Sequence, residues 1–518
     1  VLSALIFGAS LVEAGTALSA PATPAAPSAG VSVDATSAEA ARHPAPARPP
    51  MLLSVADSAR YVAIFGLQRE ENWKAADAEI AGLTDRTLIG TVLAERYLSA
   101  HYPTSLEEAR DWLSSYPDHP DARAVWQVAR KKAPGKAMPQ PAAQTGTGAG
   151  FLATLPPEPG QANLRRPPLY EAGLAAWRGQ RYADAVKDFE AVANGGGTSS
   201  WYVAAAAFWA ARSHLALRQP EAVDTWFEIA ARQPRTFYGL LARDTLGLAP
   251  DTPLGPKALD ATEVAELEAL PGGRRALALV QVGETDRAEA ELRALSVAGN
   301  SQLADAIVSL ADLASMPSLC LSLGYRTGSE AARYPVPRWE PRNGFQIDRA
   351  LLFALMMEES RFNTNVRSGS GAAGLMQLMP ATARSVARTA GIPLRSVSDL
   401  VDPALNLSLG QEYVRELIGL EQVNGNLILL LAAYNTGPAP LTKWQGKWAQ
   451  EDPLLFIEGL PTQEARLYVQ RVLTNLWIYR QRLGQDQPDL DALAQNRWPT
   501  YVSIDASTPG LSQHASAR

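Results

Sequence analysis

Residues 345–360 read FQIDRALLFALMMEES. From Ala350 to Met357 every residue is apolar, so a helix here has no polar face and belongs inside a domain. It ends in two adjacent carboxylates, Glu358 and Glu359. On a wheel of about 100° per residue, Glu359 lines up with Leu352 and Leu355, and Glu358 with Leu351 and Ala354, so periodicity leaves open which of them is buried. Either one, set among such neighbours, would keep its proton above the usual value of about 4.3, as a general acid must. The alternative is a surface helix end where both acids meet water.

The sequence downstream favours a site. From Ser360 to Ser398 there is no further Asp or Glu, so a carboxylate in this region has no obvious partner. The stretch RSGSGAAGLMQLMP carries glycines at 369, 371 and 374 with small residues between, which lets a ligand or another segment approach the backbone closely. It contains a GxGxxG pattern, but the preceding RFNTNV is too polar and short for a buried strand, and no acid follows about twenty residues on, so a dinucleotide site is excluded. Arg361, Arg367, Arg384 and Arg388 give the acid-free segment a positive cast that suits carboxylates on a substrate, or simply a solvated helix face.

The rest of the chain bounds the chemistry. The 518 residues, 47% hydrophobic with formal net charge −6, describe a globular chain of two to four domains without the basic footprint of nucleic-acid binding. One cysteine, Cys320, permits neither an internal disulfide nor a thiolate cluster. No histidine occurs between His214 and His514, so chemistry in that interval runs without imidazole, and Ser-His, Cys-His and zinc catalysis are disfavoured.

Domain boundaries follow composition. Residues 1–20 read as a signal peptide whose start is missing, with Glu13 keeping an amphipathic helix as the alternative. Residues 21–50 are a Pro/Ala-rich linker, 51–135 a helical region and 136–168 a second linker rich in Pro, Gly and Ala. Residues 169–333 show apolar spacings of three and four with little strand-like alternation, and resemble degenerate tetratricopeptide-type helical hairpins. Trp177, Trp201, Trp209 and Trp226 are expected in their core more than along a ligand groove. Pro335, Pro337 and Pro341 force an extended crossing into a further domain over 334–485, and 486–518 read as a polar, peripheral tail. No apolar run reaches bilayer-spanning length, so an exported, soluble, periplasmic protein is expected.

The motifs EESRFNTNVRSGSGAAGLMQLMPATA, LNLSLGQEYVRELI, LLAAYNTGPAPLTKW and FIEGLPTQEARLYVQRVL, in this order over roughly residues 335–485, resemble the catalytic domain of soluble lytic murein transglycosylases. The helical region before it, with FYGLLA from residue 237, is similar to the superhelical ring of that family. The resemblance implies a mainly α chain: an N-terminal superhelical array of helical hairpins followed by a lysozyme-like α catalytic domain. It implies Glu359 as the single acid/base catalyst. Ser368 and Gln377 match polar substrate-binding positions, Met379 an apolar wall, Tyr434 and Asn435 the site-lining pair, and Glu464 and Tyr468 the E-x-R-x-Y of the closing helix. Three departures are present: Glu358 where the family usually has Gln, NTG for NAG, and PTQEAR for PF-x-ETR.

A retaining glycosidase needs a second carboxylate about 5–5.5 Å from the first, and an inverting one needs it farther off to hold a water. Lysozyme, the type case of the retaining arrangement, supplies one. The family resemblance implies that none is used here. The acid protonates the bond between N-acetylmuramic acid and N-acetylglucosamine, the 2-acetamido oxygen stabilises the cation, and the same carboxylate then takes the proton from the C6 hydroxyl as a 1,6-anhydro ring closes. Asp399, Glu412, Glu458 and Glu464 are the acids that could fold back into the cleft. No cofactor or metal is implied; the partner is the peptidoglycan glycan strand, with the repeats as candidates for recruiting cell-wall machinery. Two rivals stand beside this reading: a muramidase hydrolysing the same bond, and a non-catalytic wall-binding scaffold. Read without the resemblance, Tyr434 and Asn435 are a helix end before a Gly-Pro turn, Met379 is core, and Glu464 is a solvated partner for Arg466.

Overall fold

The computed structural model describes residues 50–133, 135–142, 164–249, 254, 258–297, 299–448 and 452–505. The expected signal peptide and almost all of the first linker lie outside these residues, as does most of the second linker. Among the described residues the chain is helical throughout, with three isolated β-bridges and no longer strand. No described helix is long and apolar enough to cross a membrane.

Most of the chain before residue 334 is built from helical hairpins that share one turn. Helices Val55–Arg69 and Trp73–Ala81, Pro168–Arg178 and Tyr182–Ala193, Ser200–Ala216 and Pro220–Ala231, Pro271–Gln281 and Thr285–Ala294, and Ser301–Leu313 and Pro317–Thr327 are each separated by three residues. The middle residue of each turn has positive φ: Glu71 61°, Gln180 57°, Arg218 61°, Gly283 80° and Ser315 53°. The next backbone N–H reaches the carbonyl five residues back, as in Arg181 N to Ala176 O at 2.9 Å and Gln219 N to His214 O at 3.0 Å. This is the bond that closes a Schellman motif, and it satisfies a helix-end carbonyl before the next helix starts. The geometry is constant, whereas the left-handed position is filled by Glu, Gln, Arg, Gly or Ser; a non-glycine residue there costs about 1 kcal/mol.

Two groups of hairpins result. Helices between residues 55 and 98 fold back on the helices between 261 and 327 and share a core with them. Gln281 brackets the start of that N-terminal group, accepting from Leu52 N and Leu53 N at 2.9 and 2.8 Å and donating to Leu53 O at 2.8 Å. The helices between 168 and 245 share their core with residues 334–494 instead. At its centre Ser200–Ala216 is buried from Ala204 to Ala211, where a run of alanines lets helices on both sides approach. Trp201 and Trp209 are buried in this core, and Trp177 and Trp226 are half-buried against it.

Glu458 ties this second group to the rest. Its buried carboxylate accepts from Tyr170 Oη at 3.0 Å, Tyr238 Oη at 2.7 Å and Gln470 Nε2 at 3.0 Å, and Arg166 pairs with it. A buried charge is tolerated only when it is paired and hydrogen-bonded in this way.

The described part of the expected tail, residues 486–505, is not peripheral, which corrects the expectation from its polar composition; the remainder lies outside the described residues. Helix Pro488–Ala494 packs on Phe237–Thr245, and Asp489 is buried. Asp489 accepts from Trp477 Nε1 at 2.7 Å and pairs with Arg480, itself buried. Farther on, the chain grips the start of the helix that ends at Glu359. Buried Asp348 accepts from Ile504 N at 2.9 Å and Ser503 Oγ at 3.2 Å, and Asp505 accepts from Arg349 N at 2.7 Å. Polar residues in this segment act on buried partners, which composition could not reveal. Asp489→Ala leaves Arg480 buried without its nearest counter-charge and should cost about 3–5 kcal/mol, read as a lower midpoint of thermal or urea unfolding. An unchanged midpoint would restore the peripheral reading.

Candidate active site

Helix Arg349–Glu359 is buried from Ala350 to Met357, as its apolar sequence requires. It packs along helix Gln463–Arg482, and its last residue is Glu359. The chain then leaves the helix abruptly: Arg361 and Phe362 both have positive φ, 49° and 59°, and Phe362 is buried. Two consecutive left-handed residues that are not glycine store strain, and the burial of the Phe362 ring helps hold them. Glu359 itself is half-buried at this helix end.

Both acids are half-buried, so the structure does not bury one and expose the other; it separates them by their partners. Glu358 pairs with Arg471 at 3.2 Å. Glu359 Oε1 accepts from Tyr468 Oη at 2.6 Å, three residues earlier on the same partner helix. Burial pushes the Glu359 carboxyl up to about 7, opposed by the Tyr468 hydrogen bond and reinforced by the charges of Glu358 and Glu464. The C-terminal end of a helix, negative by its own dipole, disfavours the anion further. Burial also raises Glu358, with Arg471 and Arg361 acting against it. Tyr468 is buried, and its hydroxyl keeps its proton far above the usual range, so it acts as a donor.

The glycine-rich segment forms the facing wall. Bridges Arg367 to Ala373 and Ala373 to Leu378 fold it into two tight reversals. Gly374 has φ of 76°, and a Cβ there would stand 2.1 Å from Leu400 O and 2.3 Å from Asn406 Nδ2, so glycine is required. Asn406, fully buried on helix Pro403–Ile418, accepts from Met376 N at 2.8 Å and donates to Ala373 O and Leu400 O at 3.1 and 2.9 Å. Tyr434, near the end of helix Leu427–Thr436, donates to Met376 O at 2.8 Å and lies within electrostatic range of Glu359. Sequence reading passed over Asn406 and Arg471, although both stand inside the motifs quoted above. An Asn in an apolar helix and an Arg three residues past Tyr468 are the signals that could have found them.

The residues expected from sequence do not all play one part. Glu359, Tyr468 and Tyr434 come together. Ser368 is half-buried in the first reversal, its Oγ accepting from Ala372 N at 2.9 Å and bonded to Ser370 Oγ at 2.9 Å. Gln377, with φ of 43°, turns its amide back to donate to Gly374 O and Val366 O at 2.9 and 3.2 Å, so it shapes the wall. Met379 is exposed, which rules out a core role, and immediately precedes helix Pro380–Ala390. Asn435 is half-buried beside Tyr434. Glu464 is exposed in the first turn of the closing helix, and Arg466 donates instead to Leu460 O at 2.6 Å.

The other acids are committed elsewhere. Asp399 accepts from Arg395 N and Ser396 N, both at 3.0 Å, Glu412 binds Arg415 at 2.9 Å, and Glu458 is the buried tie to the repeats. Among the described residues no cluster of three or more His, Cys, Asp or Glu is placed to hold a metal ion.

Residues 340–456 match the family model described as Transglycosylase SLT domain. Glu359 through Asn435 fall inside that match, and Glu464, Tyr468 and Arg471 lie beyond its end. A soluble lytic murein transglycosylase of Escherichia coli (strain K12) is 37% identical over 150 residues, which cover 29% of this chain and 23% of that protein. Its counterpart in Salmonella typhimurium is 36% identical over 146 residues, 28% of this chain and 22% of that protein. The chain thus spans less than a quarter of the length of these relatives. An X-ray structure of an inactive mutant of lytic transglycosylase Slt from Pseudomonas aeruginosa aligns over 87% of this chain and 72% of that one, at 25% identity and a TM-score of 0.49.

Tyr468→Phe removes the hydrogen bond that favours the Glu359 anion. The carboxyl should then titrate higher, by about half a pH unit or more, in a 13C-NMR titration of labelled glutamate side chains. A downward move would mean that the hydroxyl does not donate to it.

Proposed function

We propose that this chain is a lytic transglycosylase of peptidoglycan. It cleaves the β-1,4 bond between N-acetylmuramic acid and N-acetylglucosamine and leaves a 1,6-anhydromuramic acid end, with Glu359 as its one acid/base. The observation that carries this reading is a half-buried carboxyl, raised to about 7 and held by Tyr468, inside a segment that matches a transglycosylase domain.

The chemistry follows from the carboxyl's surroundings. With Tyr468 donating to Oε1, the acidic proton belongs on Oε2. Below about pH 7 that proton is available to the departing glycosidic oxygen. Once it is given up, the anion is stabilised by Tyr468 and opposed by burial, so it is a base ready to accept a proton again. The C6 hydroxyl of the muramoyl residue supplies that proton while its oxygen bonds to C1, and the 2-acetamido oxygen carries the developing positive charge. Substrate atoms take the places of nucleophile and water, consistent with the other commitments of Asp399, Glu412 and Glu458. Ser368, Gln377, Met379, Tyr434, Asn435 and Glu464 line or shape the substrate side. A glycan substrate outside the cytoplasm calls for export, which the reading of residues 1–20 accommodates, and on this reading the hairpin array guides the strand or recruits other wall enzymes.

Glu359→Gln should retain glycan binding and lose at least about a hundredfold in product release from purified sacculi. Mass spectrometry of the parent's digest should show 1,6-anhydromuramoyl ends; reducing ends would identify a muramidase, and no release at all a scaffold. The same variant tests the carboxyl's state. Glu359 is raised from 4.5 to about 7 on folding, so between those values the native chain holds a proton the unfolded chain has lost. Its contribution to stability is therefore fully present below about 4.5 and declines as pH rises to 7. Glu359→Gln should remove that decline from the pH dependence of unfolding.

A further inference from the structure

We propose that Arg471 is a positioning residue which, by pairing with Glu358, sets the pH range over which Glu359 keeps its proton. The proposal rests on the reading of Glu359 as the acid/base and adds a specific control of it.

The geometry links the four groups as two neighbouring pairs. Glu358 and Glu359 are consecutive at the end of one helix, and Tyr468 and Arg471 are three residues apart on its partner, hence on one face. Tyr468 takes Glu359 and Arg471 takes Glu358. Arg471 and Glu358 are each only partly exposed, 27% and 21%, so solvent screens their charges incompletely. They border a cavity of about 30 Å³ together with Met357, Arg361 and Thr474. Arg471 Nε is buried without a hydrogen-bond partner, so the Glu358 contact is not one of many equivalent ones the guanidinium makes.

Glu358 occurs where the resembling family usually carries an uncharged Gln, and an unpaired anion there would act on its neighbour. Two adjacent carboxylates repel, so an ionised Glu358 keeps Glu359 protonated to higher pH. Arg471 turns that charge into one half of a nearly neutral pair, and Glu359 then feels a dipole in place of a full charge. The other charged or titratable groups around these acids are Arg361 after the helix, Glu464 on the closing helix, and Tyr434 from Leu427–Thr436. Arg235 and Tyr325 from the repeats, and Tyr334 just after them, reach the same cavity, and Arg235 is itself paired with Glu330.

A distinct order of pH profiles follows. Initial rates of product release are measured for the parent, Arg471→Gln, Glu358→Gln and the double variant from about pH 4.5 to about pH 9. With Arg471→Gln the alkaline limb should move up by about half a pH unit or more, because Glu358 loses its counter-charge. With Glu358→Gln it should move down, because the cation stays and the anion goes. The double variant should return close to the parent. Four coincident profiles, or single variants shifting in the same direction, would overturn the proposal, since a merely structural pair would lower rates without this order. If Arg471→Gln does not fold, Glu358→Gln decides against the parent, an unchanged or raised limb overturning it. The Glu359 titration in the same proteins, followed by 13C NMR, reads the proposal without catalysis. If the parent releases no anhydro product, the functional reading fails, and the NMR order still confirms or overturns the role of Arg471.

Discussion

Helix Gln463–Arg482 is the constraint on which the other parts depend. Fourteen of its 20 residues are buried, and its side chains reach in every direction. Toward the site, Tyr468 and Arg471 take Glu359 and Glu358. Toward the second hairpin group, Gln470 contacts Trp201 Nε1 at 3.2 Å and Glu458 at 3.0 Å. Toward the C-terminal segment, Trp477 and Arg480 hold Asp489. Its last turn reaches the middle repeats, with Arg482 donating to Asp312 at 2.5 Å and to Ala331 O and Leu254 O at 2.9 Å. A long, largely buried helix that carries polar groups at its contact points can serve several cores at once, because those groups reach different neighbours.

This arrangement couples the chemistry of one carboxyl to the whole architecture. The hydrogen bond that Tyr468 gives Glu359 depends on how closely the two helices approach, and that approach is set by a helix anchored in the repeats and the C-terminal segment. The hairpins are tied to the Glu359 region: through Tyr170 and Tyr238, with Arg166 just before them, they fix Glu458, and through Glu458 and Gln470 the register of the closing helix. The start of the Glu359 helix is clamped independently by Asp505 and by the donors to Asp348. Both ends of the Glu359 helix are held by segments remote in sequence.

Repetition in this protein is legible in backbone geometry more than in residues. Five hairpin turns have one left-handed residue and one closing hydrogen bond in common, yet Glu71, Gln180, Arg218, Gly283 and Ser315 fill the position. Because glycine is favoured there by only about 1 kcal/mol, the sequence was free to drift while the turn stayed. That is why apolar spacing suggested helical hairpins and no period could be fixed. The tail failed as a reading for the opposite reason: Asp489, Ser503 and Asp505 look solvent-directed until the groups they satisfy, Arg480 and Trp477, Asp348, and Arg349 N, are in place.

Sequence by itself determined the helical class, the buried helix ending in two acids, the acid-free glycine-rich stretch after it, and the motifs that single out Glu359, Tyr434 and Tyr468. These are local properties, set by periodicity, composition and short spacings. Only the tertiary structure decided which acid meets Tyr468 and which meets Arg471, that Asn406 and Tyr434 pin the glycine-rich wall, and that helix Pro488–Ala494 joins the core while the residues after it hold the start of the Glu359 helix. Each of those outcomes depends on contacts between segments tens to hundreds of residues apart, and on whether a charge finds its partner before it loses water.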